Sequence, residues 1–480
     1  MNLPNMLDAK KRTEKKVNII RDFNITENQK KLGTNKKYYI RTYGCQMNER
    51  DSENISAILN NMNYKKTENI EDSDVIILNT CSIRENANNK VFGFLGVLKN
   101  LKEKKDIITI LCGCMPQEES IIEKIKSKYN WIDLIFGTHN IKDIPSMLED
   151  VIENNKKSIN VYSIEGDIIE DIPSIRTSKI KAYVNVMYGC DKFCTYCIVP
   201  YTRGKQRSRL KSDIIKEVED LINSGYKEIT LLGQNVNAYG KDFDYDYKLS
   251  DLLKDISKLN IPRIKFLTSH PWDFEEELIE VIKNNSNVLP FIHLPIQSGS
   301  NNILKIMNRR YTKEQYINLY KKIKEQIPNC VITTDIIVGF PNESEEDFNE
   351  TLDVVNTCKF DFAFTFIFSP RIGTPASLMK DEIKLETKKQ RLKILNELVS
   401  KYAKESNGKL LNKTVSVLIE EESENKLYLT GYTDTNKMVY IKNESKYKNQ
   451  IKEVLITEIR SFCLYGEIKW KKLYLFYYFC

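Results

Sequence analysis

The sequence predicts an α/β protein in three parts: an N-terminal parallel-sheet α/β domain, a central partial (β/α)6 barrel and a small C-terminal all-β barrel. Three observations predict it. Between residues 38 and 155 short β-rich runs alternate with helical periodicity, from 179 to 405 six further runs do the same, and beyond Gly408 strand-like segments follow one another with no helix between them. At 480 residues the chain is longer than one core supports, and its 41% apolar and 29% charged residues match packed domains better than disorder.

Residues 1–37 carry ten Lys/Arg against four Asp/Glu, nearly the whole of the formal charge of +7, and read as a flexible, solvated basic tail. From Tyr38 the first domain begins. Tyr38-Tyr39-Ile40 leads to Gly44-Cys45, Val75 to Leu78 leads to Thr80-Cys81, and Ile107 to Leu111 leads to Gly113-Cys114. Ile55, Ile58, Leu59 and Met62 keep helical spacing between them, as do Val91, Leu95, Leu98 and Leu101, and a fourth run at Leu134–Phe136 precedes a last helix ending near 155. Residues 156–178 lack periodicity and read as a linker. The second series then runs through Ala182–Met187, Ile229–Leu232, Ile264–Leu267, Phe291–Ile296, Val331–Val338 and Phe362–Phe368. Six βα units are two short of a closed eightfold barrel, so an open one is expected. A lysine-rich helix from Leu385 to Lys404 leads into the β-barrel at 408–470, whose stretch to the C-terminus has a net charge of only +3. The aromatic tail 471–480 has no functional reading.

No window approaches the roughly 18 apolar residues of a membrane span, and Asp8, Lys10, Lys11 and Arg12 stand where a signal stretch would be apolar. A cytoplasmic protein is expected. Eleven cysteines in such a chain point to metal or catalytic chemistry, because disulfides are rare inside cells.

The sharpest local signal is Gly189-Cys190-Asp-Lys-Phe-Cys194-Thr-Tyr-Cys197, directly after the first barrel strand. Three close thiols seat three irons of a 4Fe-4S cluster and leave the fourth without a protein ligand. Zinc would want a fourth ligand, and the three histidines, His139, His270 and His293, are far off in sequence. Cys45, Cys81 and Cys114 form a second set. Parallel strands end on one edge of a sheet, so these three converge and can share one ligand. Cys112, Cys330, Cys358, Cys463 and Cys480 lack such context and read as structural.

The Cys-x3-Cys-x2-Cys spacing with Tyr196 before the third cysteine resembles the radical S-adenosylmethionine superfamily. Tyr43-Gly-Cys-Gln-Met-Asn-Glu-Arg-Asp-Ser-Glu53 and Asn79-Thr-Cys-Ser-Ile-Arg-Glu-Asn-Ala87 are similar to the signatures of its methylthiotransferases, the MiaB family among them. Thr202-Arg-Gly-Lys-Gln-Arg-Ser-Arg209, Phe368-Ser-Pro-Arg-Ile-Gly-Thr-Pro375 and Gly431-Tyr-Thr-Asp-Thr-Asn436 carry the likeness on, the last within what resembles an RNA-binding TRAM domain. The resemblance implies two 4Fe-4S clusters, one on Cys190, Cys194 and Cys197 whose open iron binds S-adenosyl-L-methionine, and an auxiliary one on Cys45, Cys81 and Cys114. It also implies methylthiolation of C2 of N6-isopentenyladenosine beside the anticodon of tRNA. The implied partners are that tRNA and a flavodoxin- or ferredoxin-type electron donor, and the chain is expected to be a monomer.

Further contacts are expected at strand ends. Gly233, Gln234 and Asn235 follow the second barrel strand, where Gly permits close backbone approach and the amides supply donors toward the cofactor. Ser298 in Gln297-Ser-Gly-Ser300 has the same reading, and the segment Val338-Gly-Phe-Pro341 after the fifth strand is a candidate for packing on adenine. Arg203, Arg207 and Arg209, with Lys205 among them, are expected to grip tRNA phosphates, as is Arg371. His270 and His293 read as structural histidines. The rivals are a methylthiotransferase for threonylcarbamoyl-adenosine or for a ribosomal-protein aspartate, from which Gln46-Met47-Asn48 points away. A non-enzymatic iron-sulfur carrier would not require a barrel with cofactor-like strand-end motifs, and a zinc-bearing RNA-binding protein would not require two three-cysteine sets.

Overall fold

A computed structural model describes residues 17–469 apart from 22, 83, 84, 155, 162–166, 171 and 443, with the side chains of 85–88 also left out. Residues 1–16 of the basic segment and the tail 471–480 lie outside the described residues.

The first domain is a six-stranded, all-parallel sheet in the order Lys65–Lys66, Lys37–Thr42, Val75–Thr80, Ile108–Gly113, Leu134–Phe136, Ser158–Asn160. Its four inner strands are the runs expected from the sequence. Val75–Thr80 is buried along its whole length, as a strand covered on both faces must be. The two edge strands were not expected: Lys65–Lys66 is short and charged, and Ser158–Asn160 falls in the segment read as linker. An edge strand pairs on one side only and needs no apolar run to mark it.

The basic segment is a second correction. Over its described part it is not a solvated tail: Ile19–Ile20 pairs in parallel with Ile168–Ile169, and Thr26 and Gln29 close a capping box on the helix Glu27–Lys31. Phe23, Ile25 and Leu32 pack against the first domain's core, and Gln29 Nε2 donates to Glu149 Oε2 at 2.9 Å. Three apolar residues scattered among charges leave no periodicity for a sequence reading to find.

The central unit is two three-stranded parallel sheets, Lys181–Asn185, Glu228–Leu232 and Arg263–Phe266, then Phe291–His293, Val331–Val338 and Phe362–Ile367. A bridge between Ile264 and Val288 and the bond from Ser269 N to His293 O (3.2 Å) join them. Among the described residues no pairing links the first strand to the sixth, so the barrel is open on that side. One strand face packs Val184, Ile229, Ile264, Ile292, Ile336 and Ala363 against the surrounding helices. The other face, toward the lumen, alternates in polar residues, among them Glu228, Thr230, Arg263 and Thr333, all buried.

The C-terminal unit is a closed five-stranded barrel over a core of Val417, Ile419, Leu429, Val439, Val454 and Leu464. Its fifth strand, Leu464–Ile468, was missed in the sequence. Glycine interrupts its apolar pattern at Gly466, where a Cβ would come within 2.6 Å of Leu455 O. This barrel plugs the lower end of the central one: Arg263 pairs with Glu228 (2.8 Å) and Asp434 (2.6 Å), Lys265 Nζ donates to Asn436 Oδ1 (3.0 Å), and Lys181 pairs with Glu420.

Along the free edge of the first barrel strand and up to its C-terminal end, the first domain docks through buried ion pairs. Glu53, on the helix Gln46–Asn61, accepts from Arg176 Nη1 (3.1 Å) and Thr177 N (3.0 Å). Glu217, on the helix Lys211–Asn223, takes Arg50 (3.0 Å), Arg176 and Arg209 (2.7 Å), while Glu170 holds Arg209 by two bonds of 2.7 Å. Burial pushes the Glu217 carboxyl up, yet Arg209, Arg50 and Arg176 together outweigh it and hold the carboxyl down at about 2, against an ordinary 4.5.

A carboxylate depressed in this way adds stability above its unfolded pKa and loses it as pH falls toward the folded value. Stability in urea is therefore expected to decline between pH 4.5 and about 2, and the decline should be shallower in Glu217→Gln. At neutral pH that variant should lose about 3–5 kcal/mol, the usual cost of breaking a buried ion pair from one side, and a loss under about 1 kcal/mol would contradict the network's role.

Candidate active site at the barrel mouth

The first barrel strand ends at Asn185, and the chain returns through Met187–Tyr188 paired antiparallel with Arg207–Ser208. The loop between these two short strands carries Cys190, Cys194 and Cys197. Only glycine fits at 189, where φ is +70° and a Cβ would lie 2.0 Å from Lys205 O. Elements after the fourth strand hold the loop from beneath: Asn308 Nδ2 donates to Phe193 O (2.9 Å) and Thr195 Oγ1 to Ile306 O (3.0 Å). Arg309, which the sequence reading missed, is buried and donates to Cys194 Sγ (3.5 Å) and Pro295 O (2.8 Å), with Nε on Tyr311 Oη (2.9 Å). Its position after an unremarkable helix offered no signal. Burial, then the neighbouring Cys194, pushes the Cys197 thiol up to about 12, and burial with Cys197 and Cys194 raises Cys190 as well. The raised thiols of Cys190 and Cys197 stay neutral unless a cationic centre binds them, and three cysteines in one short loop are the donor set of an iron-sulfur cluster.

The second set also assembles. Thr80 and Gly113 are register partners, so Cys81 and Cys114 follow at adjacent strand ends, and Cys45 is the N-cap of the helix Gln46–Asn61. A Cβ on Gly44 would lie 2.9 Å from Cys81 Cβ and 2.7 Å from Asn48 Oδ1, so the first two loops are in contact. Asn48 and Asn79 lock them: Asn48 Nδ2 donates to Asn79 Oδ1 (3.1 Å) and Thr80 O (3.0 Å), and Asn79 Nδ2 returns to Asn48 O (2.8 Å). Burial, with the charges of Cys81 and Cys45 adding and Arg203 opposing, pushes Cys114 up to about 12. Among the described residues no three Cys, His or carboxylate side chains stand close enough to grip a single bare ion. A cluster of four irons and four sulfides spaces its thiolates more widely than an ion does.

The barrel mouth also holds buried polar atoms with no hydrogen-bond partner among the described residues: Asn185 Oδ1, Gln234 Oε1, Asn235 Oδ1, Ser269 Oγ and His270 Nε2. All lie at the C-terminal ends of the first three barrel strands. Such orphans are costly unless a ligand completes them. The ammonium and ribose hydroxyls of S-adenosyl-L-methionine are donors suited to the unpaired amide oxygens of Asn185, Gln234 and Asn235, and its own acceptor atoms suit the Nε2–H of His270, so the residues present fit that cofactor. Asn185, Ser269 and His270 were not singled out in sequence as cofactor contacts. His270 Nδ1 accepts from Trp272 N (3.3 Å), which leaves the proton on the unpartnered Nε2, and burial with Arg309, Lys192 and Lys241 nearby lowers its pKa so that it stays neutral.

Several expected contacts are placed differently. Gly233 makes room for Met187, whose Cγ would lie 2.6 Å from a Cβ there. Ser298 Oγ accepts from Ser300 N (3.2 Å) and meets Thr351 Oγ1 (3.5 Å), so its hydroxyl caps a turn and is not a cofactor contact. Phe340 is fully buried between Tyr196 (6.4 Å, edge-on) and Phe368 (4.9 Å), with no face open to adenine. Tyr196 is half-buried in that cluster. Arg203, Arg207 and Arg209 are buried: Arg203 pairs with Asp51 (2.8 Å), Arg209 belongs to the ion network, and Arg207 donates to Arg203 O and Lys205 O, both at 3.0 Å. All three bind the protein to itself through these partners. Arg371 is half-buried, on the loop after the sixth strand, with Nη1 on Ser369 Oγ (3.1 Å). His293 is satisfied by Thr333 Oγ1 (2.9 Å) and Asp335 (3.4 Å), as a structural histidine is.

The Cys45 helix meets the barrel mouth. Met47, two residues past Cys45, receives the Gln234 Nε2 bond, and Arg203 reaches from the Cys190 loop's exit to Asp51 and stands beside Cys45 and Cys114.

The chain matches three family descriptions: the Radical SAM superfamily over residues 184–355, Uncharacterized protein family UPF0004 over 37–137, and the TRAM domain over 408–469. It is 54% identical over 468 residues to a protein of Bacillus cytotoxicus named tRNA-2-methylthio-N(6)-dimethylallyladenosine synthase, covering 97% of this chain and 92% of that one. A Bacillus anthracis protein of the same name is 53% identical with the same coverage. Among solved structures, the radical S-adenosylmethionine methyltransferase TsrM from Kitasatospora setae shares the fold at a TM-score of 0.54 and 12% identity, covering 72% of this chain and 74% of that one.

Gly44→Ala should drive the Cys45 and Cys81 loops apart. Iron bound after anaerobic reconstitution should then fall by about half, on the stoichiometry of one cluster per three-cysteine set. Full iron content in this variant would mean that the contact does not position the second set.

Proposed function

The chain belongs to the family of tRNA-2-methylthio-N(6)-dimethylallyladenosine synthases, and from that premise we propose that it converts C2–H of N6-isopentenyladenosine beside the tRNA anticodon to C2–SCH3. It is a radical S-adenosylmethionine transferase whose cofactors are two 4Fe-4S clusters and S-adenosyl-L-methionine. Cys190, Cys194 and Cys197 hold one cluster, and Cys45, Cys81 and Cys114 hold the other. When bound, these groups supply a 5′-deoxyadenosyl radical and a sulfur donor, which suits a C–H bond too weakly acidic for base catalysis.

The observation that carries this reading is the meeting of the Cys45 helix with the barrel mouth, through the Met47–Gln234 contact and the Arg203–Asp51 pair. Reaction between groups held at two sites requires that both face the same substrate atom, and rigid docking provides that orientation. Asn48 and Asn79 fix the loops of the second set, Arg309 and Asn308 fix the first, and Asn185, Gln234 and Asn235 present acceptors to the cofactor's amino and hydroxyl groups.

The TRAM domain and the relatives' name support tRNA as the substrate. Among the described residues no helix is long and apolar enough to cross a membrane. The finer parts of the reading are a cytoplasmic monomer, a flavodoxin- or ferredoxin-type electron donor, and division into units at 38–155, 179–405 and 408–470. Gln46-Met47-Asn48 and the relatives' name favour the isopentenylated nucleoside over a threonylcarbamoyl-adenosine or protein substrate.

Wild-type protein reconstituted without oxygen should carry about eight irons, and the Cys190/Cys194/Cys197 triple alanine variant about four. With reductant, S-adenosyl-L-methionine and isopentenylated tRNA, Cys81→Ala should form 5′-deoxyadenosine but no methylthio product, whereas Cys194→Ala should form neither. Methylthio-adenosine at the wild-type level from Cys81→Ala would sink the assignment of the second set.

A further inference from the structure

Of the arginines that the sequence offers to tRNA, Arg203, Arg207 and Arg209 are buried within the protein and Arg371 is half-buried. A second cation-rich surface lies on the open side of the central barrel. The sixth strand, Phe362–Ile367, has no neighbour beyond it, and between it, the helix Leu385–Gly408 and the Ser461–Phe462 turn of the C-terminal barrel runs a groove of about 950 Å³.

Its two walls differ in chemistry. One is aromatic: Phe362 meets Phe364 at 4.7 Å and Phe462 at 5.6 Å, and Phe364 and Phe462 are 48% and 62% exposed. The other is the helix face of the exposed Lys389, Lys393, Asn396 and Lys404 and the half-buried Ser400, with Lys401 beside it. The spacing i, i+4, i+7, i+11, i+15 keeps one side of a helix, and 15 residues span roughly 22 Å. Glu397 is the one carboxylate among the lining residues, and neither Lys393 nor Lys404 has an ion-pair partner among the described residues.

We propose that this groove seats a strand of the substrate tRNA, with backbone phosphates on the lysine stripe and unpaired bases on Phe364 and Phe462. The inference rests on tRNA being the substrate. Charge complementarity favours a polyanion, and exposed aromatic faces flanked by lysines are what single-stranded nucleic acid binds without sequence readout. A second copy of the chain fits poorly, because a twofold contact would lay the lysine stripe against itself. The path is continuous with the chemistry: Phe366 (44% exposed) and Ile372 (68%) prolong the exposed strip along the sixth strand toward its C-terminal end, where the loop carrying Arg371 reaches the barrel mouth.

The test measures binding of isopentenylated tRNA to holoenzyme over a range of salt concentrations. Lys393→Glu/Lys404→Glu should weaken binding about tenfold or more and lower the slope of log K against log salt by about 1.5, since each lost phosphate contact removes about 0.7–0.9. Phe364→Ala should weaken it about tenfold with the slope unchanged, as a stacking loss does. Lys393→Arg/Lys404→Arg should bind as wild type, and all variants should keep wild-type iron content and unfolding temperature. Wild-type affinity and slope in the Glu double variant would overturn the proposal. So would unchanged tRNA binding together with a changed oligomeric state, or with lost turnover on an acidic protein reductant, either of which would give the groove to a protein. Failure of the unaltered enzyme to bind tRNA would instead overturn the substrate reading beneath it.

Discussion

Three arginines and three glutamates, Arg50, Arg176 and Arg209 with Glu53, Glu170 and Glu217, meet at the seam between the two cysteine-bearing domains. They come from the helix behind Cys45, the connecting segment, the return strand of the Cys190 loop and the first barrel helix. Charges this far from water are tolerated only when each finds its opposite in good geometry, and removal of one leaves another stranded. The docking angle is thereby restricted to the arrangement in which all six are paired. Apolar packing alone would allow sliding. The network therefore sets where the Cys45 loop stands over the barrel mouth, and the placement of Met47 against Gln234 follows from it.

The same logic shapes the barrel itself. Its lumen face carries Glu228, Arg263 and Lys265, which a closed and isolated barrel could not satisfy. The C-terminal barrel supplies the missing partners through Asp434, Asn436 and the Thr433 carbonyl. The lower end is thus sealed by matched charge, whereas the upper end keeps polar atoms unmatched. That asymmetry separates structure from chemistry: polar groups at the lower end find protein partners, and those at the upper end wait for ligands.

The sequence made the three fold units legible because their periodicities are local. Strand runs of four to eight residues and helices with i, i+3, i+4 spacing can be read without knowing what they pack against. The inner strands of the first sheet and all six barrel strands were read in this way. Elements whose identity depends on a neighbour escaped: the edge strands Lys65–Lys66 and Ser158–Asn160, the Ile19–Ile20 pairing, and the fifth C-terminal strand.

Six cysteines in two sets, the loop spacing of one and the strand-end positions of the other, were determined by the sequence itself, because ligand spacing and strand order are properties of the chain. The roles of polar residues were not. Arg203, Arg207 and Arg209 look alike as a string of cations, and only the fold shows that Asp51, Glu170 and Glu217 had already claimed two of them. Ser298 bonds Ser300 and Phe340 packs on Tyr196, while Asn185, Ser269 and His270 bring unpartnered polar atoms to the strand ends and Arg309 bonds Cys194. The physical reason is that a polar side chain's role is decided by burial and by which partner reaches it. Those partners lie far along the chain, 171 residues away for Arg263 and Asp434, so only the tertiary structure brings them together.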